Sequence, residues 1–199
     1  MPALTLYIAP GASSMAPHIM LHEVGAAFAL RPLSLGRKEN RDPAYLALNP
    51  EGKVPTLVVD GARPLTEVAA ILFYLARTHP EAGLFPRDDP EAEAHVLSWM
   101  SFIASTVHPA RQRGGEAAAA AYAMADRRLG AAGEWASGGR FGIADIHLFR
   151  LFWRYVYANR PERADFPHLY RHYDRMMERP AVRRTIEAEA AIGYELPNR

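Results

Sequence analysis

The chain has 199 residues, 49% of them apolar, with 23 Lys and Arg against 22 Asp and Glu and no cysteine. That length accommodates one large domain or two small ones. The balanced charge gives no footing for nucleic acid or an anionic membrane, and the missing cysteines exclude disulfides, thiolate metal sites and a cysteine nucleophile.

In chain order, "ALTLYIA" (3–9) is a β-rich run ended by the turn signal Pro10-Gly11. From Met15 to Val24 the apolar residues Ile19, Met20 and Val24 fall at helical spacing, and Gly25 is a stop. "FALRPLSL" (28–35) predicts a second strand, weakened by Pro32, and "DPAYLALNPEG" (42–52) a short helix or turn running into a loop. "VPTLVVDGARPL" (54–65) predicts a hairpin with Asp60-Gly61 at its tip. "TEVAAILFYLARTH" (66–79) predicts a helix capped by Thr66. Three prolines in "PEAGLFPRDDP" (80–90) mark a linker.

Helical patterns follow. Asp89-Pro90-Glu91 is an N-terminus, with Val96, Met100, Ile103 and Val107 behind it at spacings of four, three and four. Pro109 predicts a kink or an end to that helix. "EAAAAAYAMADRRLGAAGEWA" (116–136) is an alanine-rich helix, and "GIADIHLFRLFWRYVYA" (142–158) is apolar on most sides, as a buried central helix is. Residues 166–190 predict two helices broken near Pro180. No apolar run approaches the roughly 20 residues a membrane span needs, and no basic-then-apolar leader is visible. The expectation is a cytoplasmic protein without membrane or nucleic-acid partners.

Ser13 and Ser14 stand where the first strand gives way to the first helix. They are good N-caps, and equally well placed to hold an anion at a helix N-terminus. Glu67 falls in the first turn of a predicted helix, where the dipole favours a carboxylate. Ser101, Ser105 and His108, spaced four and three, form a polar stripe on one helix face. His18 and His22, and His168 and His172, are i, i+4 pairs without a third ligand at useful spacing, so no metal is assigned.

Three segments in combination, "YIAPGASSMAPHI" (7–19), "LNPEGKVPTLVVDGARPLTE" (48–67) and "GRFGIADIHLF" (139–149), resemble the glutathione transferase family, and the first is most similar to its bacterial beta class. The resemblance covers nearly the whole chain. It implies an α/β plus all-α architecture: a thioredoxin-like glutathione-binding domain at 1–80, a linker at 81–89 and an all-helical C-terminal domain at 90–199. It also implies a homodimer that uses glutathione as co-substrate, without a metal.

By that resemblance the beta-class cysteine falls on Ser13. Ser13 would hydrogen-bond the glutathione thiolate, with Tyr7 and His108 as further catalytic candidates. A serine cannot form a mixed disulfide with glutathione. Ser14, Lys38, Lys53, Val54, Pro55, Glu67, Val68 and Ser105 would contact glutathione. Pro55 would be cis, Val54 would pair its backbone with the cysteinyl part, and Glu67 would bind the γ-glutamyl amino group. Many members carry Ser where this chain has Val68, which predicts weaker glutathione binding. The family's capping Ser or Thr is Gly142 here, with Asp145 still facing the helix amides. The second substrate, an electrophile, disulfide or peroxide, would meet Tyr7, His108, Arg111 and Tyr155. A non-catalytic interaction module of the same fold, and a glutathione-dependent isomerase or dehalogenase, remain as alternatives.

Overall fold

In the computed structural model, which describes residues 3–61 and 64–195, strand β1 (Leu4–Ile8) buries Leu4, Leu6 and Ile8 and leaves Thr5 and Tyr7 half-buried, as its alternation dictates. It pairs in parallel with β2 (Phe28–Pro32) and antiparallel with β3 (Thr56–Val59); β4 (Leu65–Thr66) adds to β3, giving the order β2-β1-β3-β4. Pro32 is tolerated because β2 is an edge strand and ends there. The parallel pair requires a crossover, and helix α1 (Met15–Glu23) supplies it. Gly25 (φ +64°) closes α1 with two reverse hydrogen bonds, Gly25 N to His22 O and Ala26 N to Leu21 O, the arrangement a left-handed residue permits. Asp60 and Gly61 both have positive φ at the predicted hairpin tip; Ala62 and Arg63 lie outside the described residues.

Helices α2 (Pro43–Leu48) and α3 (Val68–Thr78) complete the first 78 residues. The predicted start of α3 is corrected: Thr66 is the last strand residue, and Glu67, with φ +67°, makes the turn into the helix. Pairing of Thr66 with Thr56 extends the sheet where propensity alone favours a cap.

The helical elements are α4 (Pro90–Phe102), α5 (His108–Arg113), α6 (Gly115–Ala132), α7 (Ile143–Asn159), α8 (Pro167–Glu178) and α9 (Pro180–Ile192). Asp89 caps α4, accepting from Ala92 N at 3.0 Å. Pro109 does not end the helical run. Residues Ile103–Val107 form a π-turn and α5 follows directly, with Pro109 in its first turn, where a missing N–H is harmless. The central helix is α7, whose Ile146, Leu148, Phe149 and Phe152 are wholly buried. Asp145 accepts from Gly142 N (2.9 Å), Ala136 N (2.8 Å) and His172 Nε2 (3.0 Å). Asp126 of α6 caps α8 through His168 N and Leu169 N, both at 2.8 Å.

The chain divides into two compact units, one comprising everything up to Leu75 together with the segment from Pro180 onward, the other Ala76–Arg179. The last helix, grouped by sequence with the helical half, therefore clusters with the sheet, where α9 packs on α1. No described helix is long and apolar enough to cross a membrane.

Candidate functional site

The β1–α1 joint is a tight backbone turn. Ala12 N donates to Ala9 O, Met15 N to Ala12 O, Ala16 N to Ser13 O and His18 N to Ser14 O. Carbonyls of the entering turn thus take the first helical amides, and Pro17 has none to offer. The capping expectation fails for this reason: Ser14, at the cap position, is already helical (φ −63°, ψ −18°) and makes no side-chain cap bond. Its fully buried hydroxyl instead accepts from Ala9 N and donates to Ala9 O, both at 3.1 Å. Ser13 is half-buried, and among the described residues its hydroxyl has no hydrogen-bond partner. One serine is built into the turn, and the other makes no side-chain hydrogen bond among the described residues.

Tyr7 stands on β1 with its ring 5.4 Å from that of Tyr45. Val54-Pro55 is cis, at the entry to β3. Lys53, just before it, is exposed and pairs with Glu51 at 2.6 Å. The bond to Glu51, that carboxylate's charge and the charge of Glu67 raise the Lys53 pKa above its usual value, so the ammonium is secure. Glu67 is exposed ahead of α3, and Val68 is buried as its first residue. Lys38 is exposed, in a left-handed conformation (φ +60°) at the head of a 3-10 turn, Glu39–Arg41.

These positions share braces that no sequence motif announces. Tyr45 and Asn49 both donate to Lys53 O and bond Thr56 Oγ1 at 2.9 and 3.1 Å, tying α2 to both sides of Val54-Pro55. Burial raises the Tyr45 pKa and keeps its hydroxyl protonated as a donor. Asn40 Nδ2 donates to Gly52 O at 2.7 Å, and a Cβ on Gly52 would meet Asn40 O at 2.8 Å, so only glycine lets these strands of chain touch. Two carboxylates arrive from the C-terminal segment. Glu189 of α9 accepts from Gly11 N at 2.6 Å and bonds His18 Nδ1 at 2.9 Å, both side chains wholly buried. Glu195 accepts from Ser34 Oγ and Gly36 N, and these bonds hold its pKa below the usual carboxylate range.

In the helical unit, Ser105 lies in the π-turn, exposed, its hydroxyl donating to Ser101 O at 2.8 Å. His108 is half-buried, with Gln112 Nε2 3.5 Å from its Nε2. The sheet unit contains Tyr7, Ser13, Lys53, Val54, Pro55, Glu67 and Val68, while Ser105 and His108 belong to the other unit. Of the histidine pairs, His18 is engaged by Glu189, with its ring 5.1 Å from that of His22. Among the described residues no group of three His, Asp or Glu is placed to hold a metal.

Comparison with known proteins gives matches along most of the chain. Residues 2–77 match the family model for the glutathione S-transferase N-terminal domain, and residues 88–180 that for the C-terminal domain. The Escherichia coli O157:H7 glutathione S-transferase GstA is 33% identical, covering 94% of this chain and 98% of that protein. A sphingomonad glutathione S-transferase solved in complex with glutathione superposes with a TM-score of 0.82 at 34% identity (94% and 98% of the two chains). The beta-class enzyme of Sphingomonas chungbukensis does so at 0.79 and 35% identity (93% and 98%).

Proposed function

The chain belongs to the glutathione transferase family, and from that premise we propose that Ser13 holds the sulfur of bound glutathione as a thiolate for attack on an electrophilic second substrate. Glutathione is the co-substrate. The observation that carries the role of Ser13 is the division of labour at the β1–α1 joint, where Ser14 is consumed by Ala9 and, among the described residues, the Ser13 hydroxyl is left unbonded at the head of α1.

The energetics are sufficient without a general base. A thiol of pKa about 8.5 is only about 3% ionised at pH 7, and lowering that value by about 2 units requires roughly 2.7 kcal/mol. A helix N-terminus contributes about 0.3–1 kcal/mol and a hydrogen bond to a charged group about 1.5–3. In this reading Val54 offers its backbone to the cysteinyl part, on a loop held rigid by Tyr45, Asn49 and Thr56. Glu67 takes the γ-glutamyl amino group, and Lys53 and Lys38 face the glycyl carboxylate. Tyr7, His108 and Tyr155 serve the second substrate, and Ser105 belongs to the glutathione contacts. Ser14 acts as a brace for the turn, in place of the direct contact its sequence position implies. The working form is a cytoplasmic homodimer.

The test is a pH titration of thiolate ultraviolet absorbance with glutathione bound. The native chain is expected to ionise the thiol about two units below its free value, and Ser13→Ala to raise that pKa by one unit or more, corresponding to about 1.4 kcal/mol or more. A neutral bound thiol at pH 7, or an unchanged value in Ser13→Ala, overturns the assignment.

A further inference from the structure

Three basic side chains on α7, His147, Arg150 and Arg154, repeat at spacings of three and four and so share one side of the helix. On α5, His108 and Arg111 are likewise three apart. Within the helical unit, Arg111 lies near enough to Arg154, and His108 to His147, for their charges to interact. After burial, the charge of Arg111 depresses the Arg154 pKa, and after burial His108 and Arg150 depress that of His147, to about 3. His147 is therefore neutral at pH 7, while the guanidiniums remain charged.

Among the described residues neither Arg111 nor Arg154 makes a hydrogen bond or an ion pair. Arg111 Nε and Arg154 Nη1 are shut off from solvent without an acceptor, as is Nδ1 of His147, whose side chain is only 4% exposed. The buried carboxylates of this unit are committed elsewhere, Asp126 to the α8 amides and Asp145 to Gly142, Ala136 and His172. Like charges at partial burial repel, and a buried donor without an acceptor costs free energy. An anion relieves both penalties, and planar guanidiniums match a carboxylate in shape as well as charge.

We propose that Arg111 and Arg154, flanked by His147, form an anion subsite that takes the carboxylate of an acidic second substrate. This rests on the transferase reading above and narrows its electrophile to one carrying a negative group.

A matched pair of enones tests it: 4-phenylbut-3-en-2-one and its para-carboxylate. With each, the glutathione thiolate forms a C–S bond to the β-carbon and the alkene pair moves to the carbonyl oxygen as an enolate. The proton lost by the thiol returns to the α-carbon, and no other reactant is consumed. The native chain is expected to favour the carboxylate over the neutral enone in kcat/KM by about tenfold or more, the discrimination one charge-assisted hydrogen bond supplies. In Arg154→Gln and Arg111→Gln the ratio is expected to fall towards one. Both variants are expected to melt no lower than the native chain, because each removes one of two repelling cations. A ratio near one in the native chain, or a preference that survives both substitutions, overturns the subsite. If neither enone is conjugated, the transferase reading fails on its own. Calorimetric binding of the para-carboxylate, lost about tenfold in Arg154→Gln, then still supports the subsite, and absence of binding overturns it.

Discussion

Glu67 keeps a backbone conformation that L-residues seldom adopt, φ +67°, one position ahead of α3. Such a cost persists where neighbouring structure enforces it and is typical of ligand-binding positions. Here β4 and α3 enforce it from either side, and the carboxylate projects outward. Val68, next in line, carries no donor. Val68→Ser is expected to lower the glutathione Kd by about tenfold, one charge-assisted hydrogen bond, while costing about 1 kcal/mol or more of stability through lost apolar burial. Calorimetry and urea unfolding read the two effects separately; an unchanged Kd removes Val68 from the site. Glu67 and Val68 were visible in the sequence because a motif of ordered residue types carries them. Tyr45, Asn49 and Thr56 were not, because their task of bonding one carbonyl and one hydroxyl across a loop needs no distinctive spacing.

Helix α7 explains its own departure from the family's capping pattern. A Cβ at Gly142 would sit 2.8 Å from Leu84 O, the carbonyl that accepts from Ile143 N at 3.0 Å. The cap position is crowded by backbone, which cannot move aside as a flexible side chain would. Restoring the family's serine is therefore expected to destabilise. Gly142→Ser gains only a few tenths of a kcal/mol as a cap against about 1–3 kcal/mol of overpacking. A lower urea midpoint at unchanged slope is the expected result; a higher one overturns the steric account. Periodicity located α4 and α7, alanine content α6, and the break at Pro180 divided α8 from α9. Periodicity missed the π-turn at Ile103–Val107, since one widened turn leaves the apolar spacing of Ile103 and Val107 intact. The capping alternative for Ser14 was not separable in the sequence, because serine's preference for cap positions is the same whether its hydroxyl bonds a helical amide or, as Ser14 does, the backbone of Ala9.

For the chain as a whole, the α/β-then-helical order was legible from strand and helix patterns, while the docking of α9 was not. Nothing in "RRTIEAEAA" distinguishes a helix bound for the sheet unit from one bound for its helical neighbours. The decisive contact is a buried pair, His18 and Glu189, together with Gly11 N. Removing the Glu189 carboxylate leaves His18 Nδ1 and Gly11 N buried without a partner, at about 1–3 kcal/mol each, so Glu189→Ala is expected to cost about 2–6 kcal/mol, measured by urea unfolding. A loss below 1 kcal/mol would mean that water replaces the carboxylate.

The bond from Gly11 to Glu189 joins residues 178 positions apart. During synthesis, at about 5–20 residues per second, residues near Gly11 are made about 9–36 seconds before Glu189. Through that interval α1 has no α9 to cover it, and the loop carrying Ser13 has no carboxylate to hold it. The segment made earlier is thus finished only when the later one arrives, and a ribosome that stalls within α6 or α7 leaves behind an uncovered apolar helix for chaperones or proteases to find.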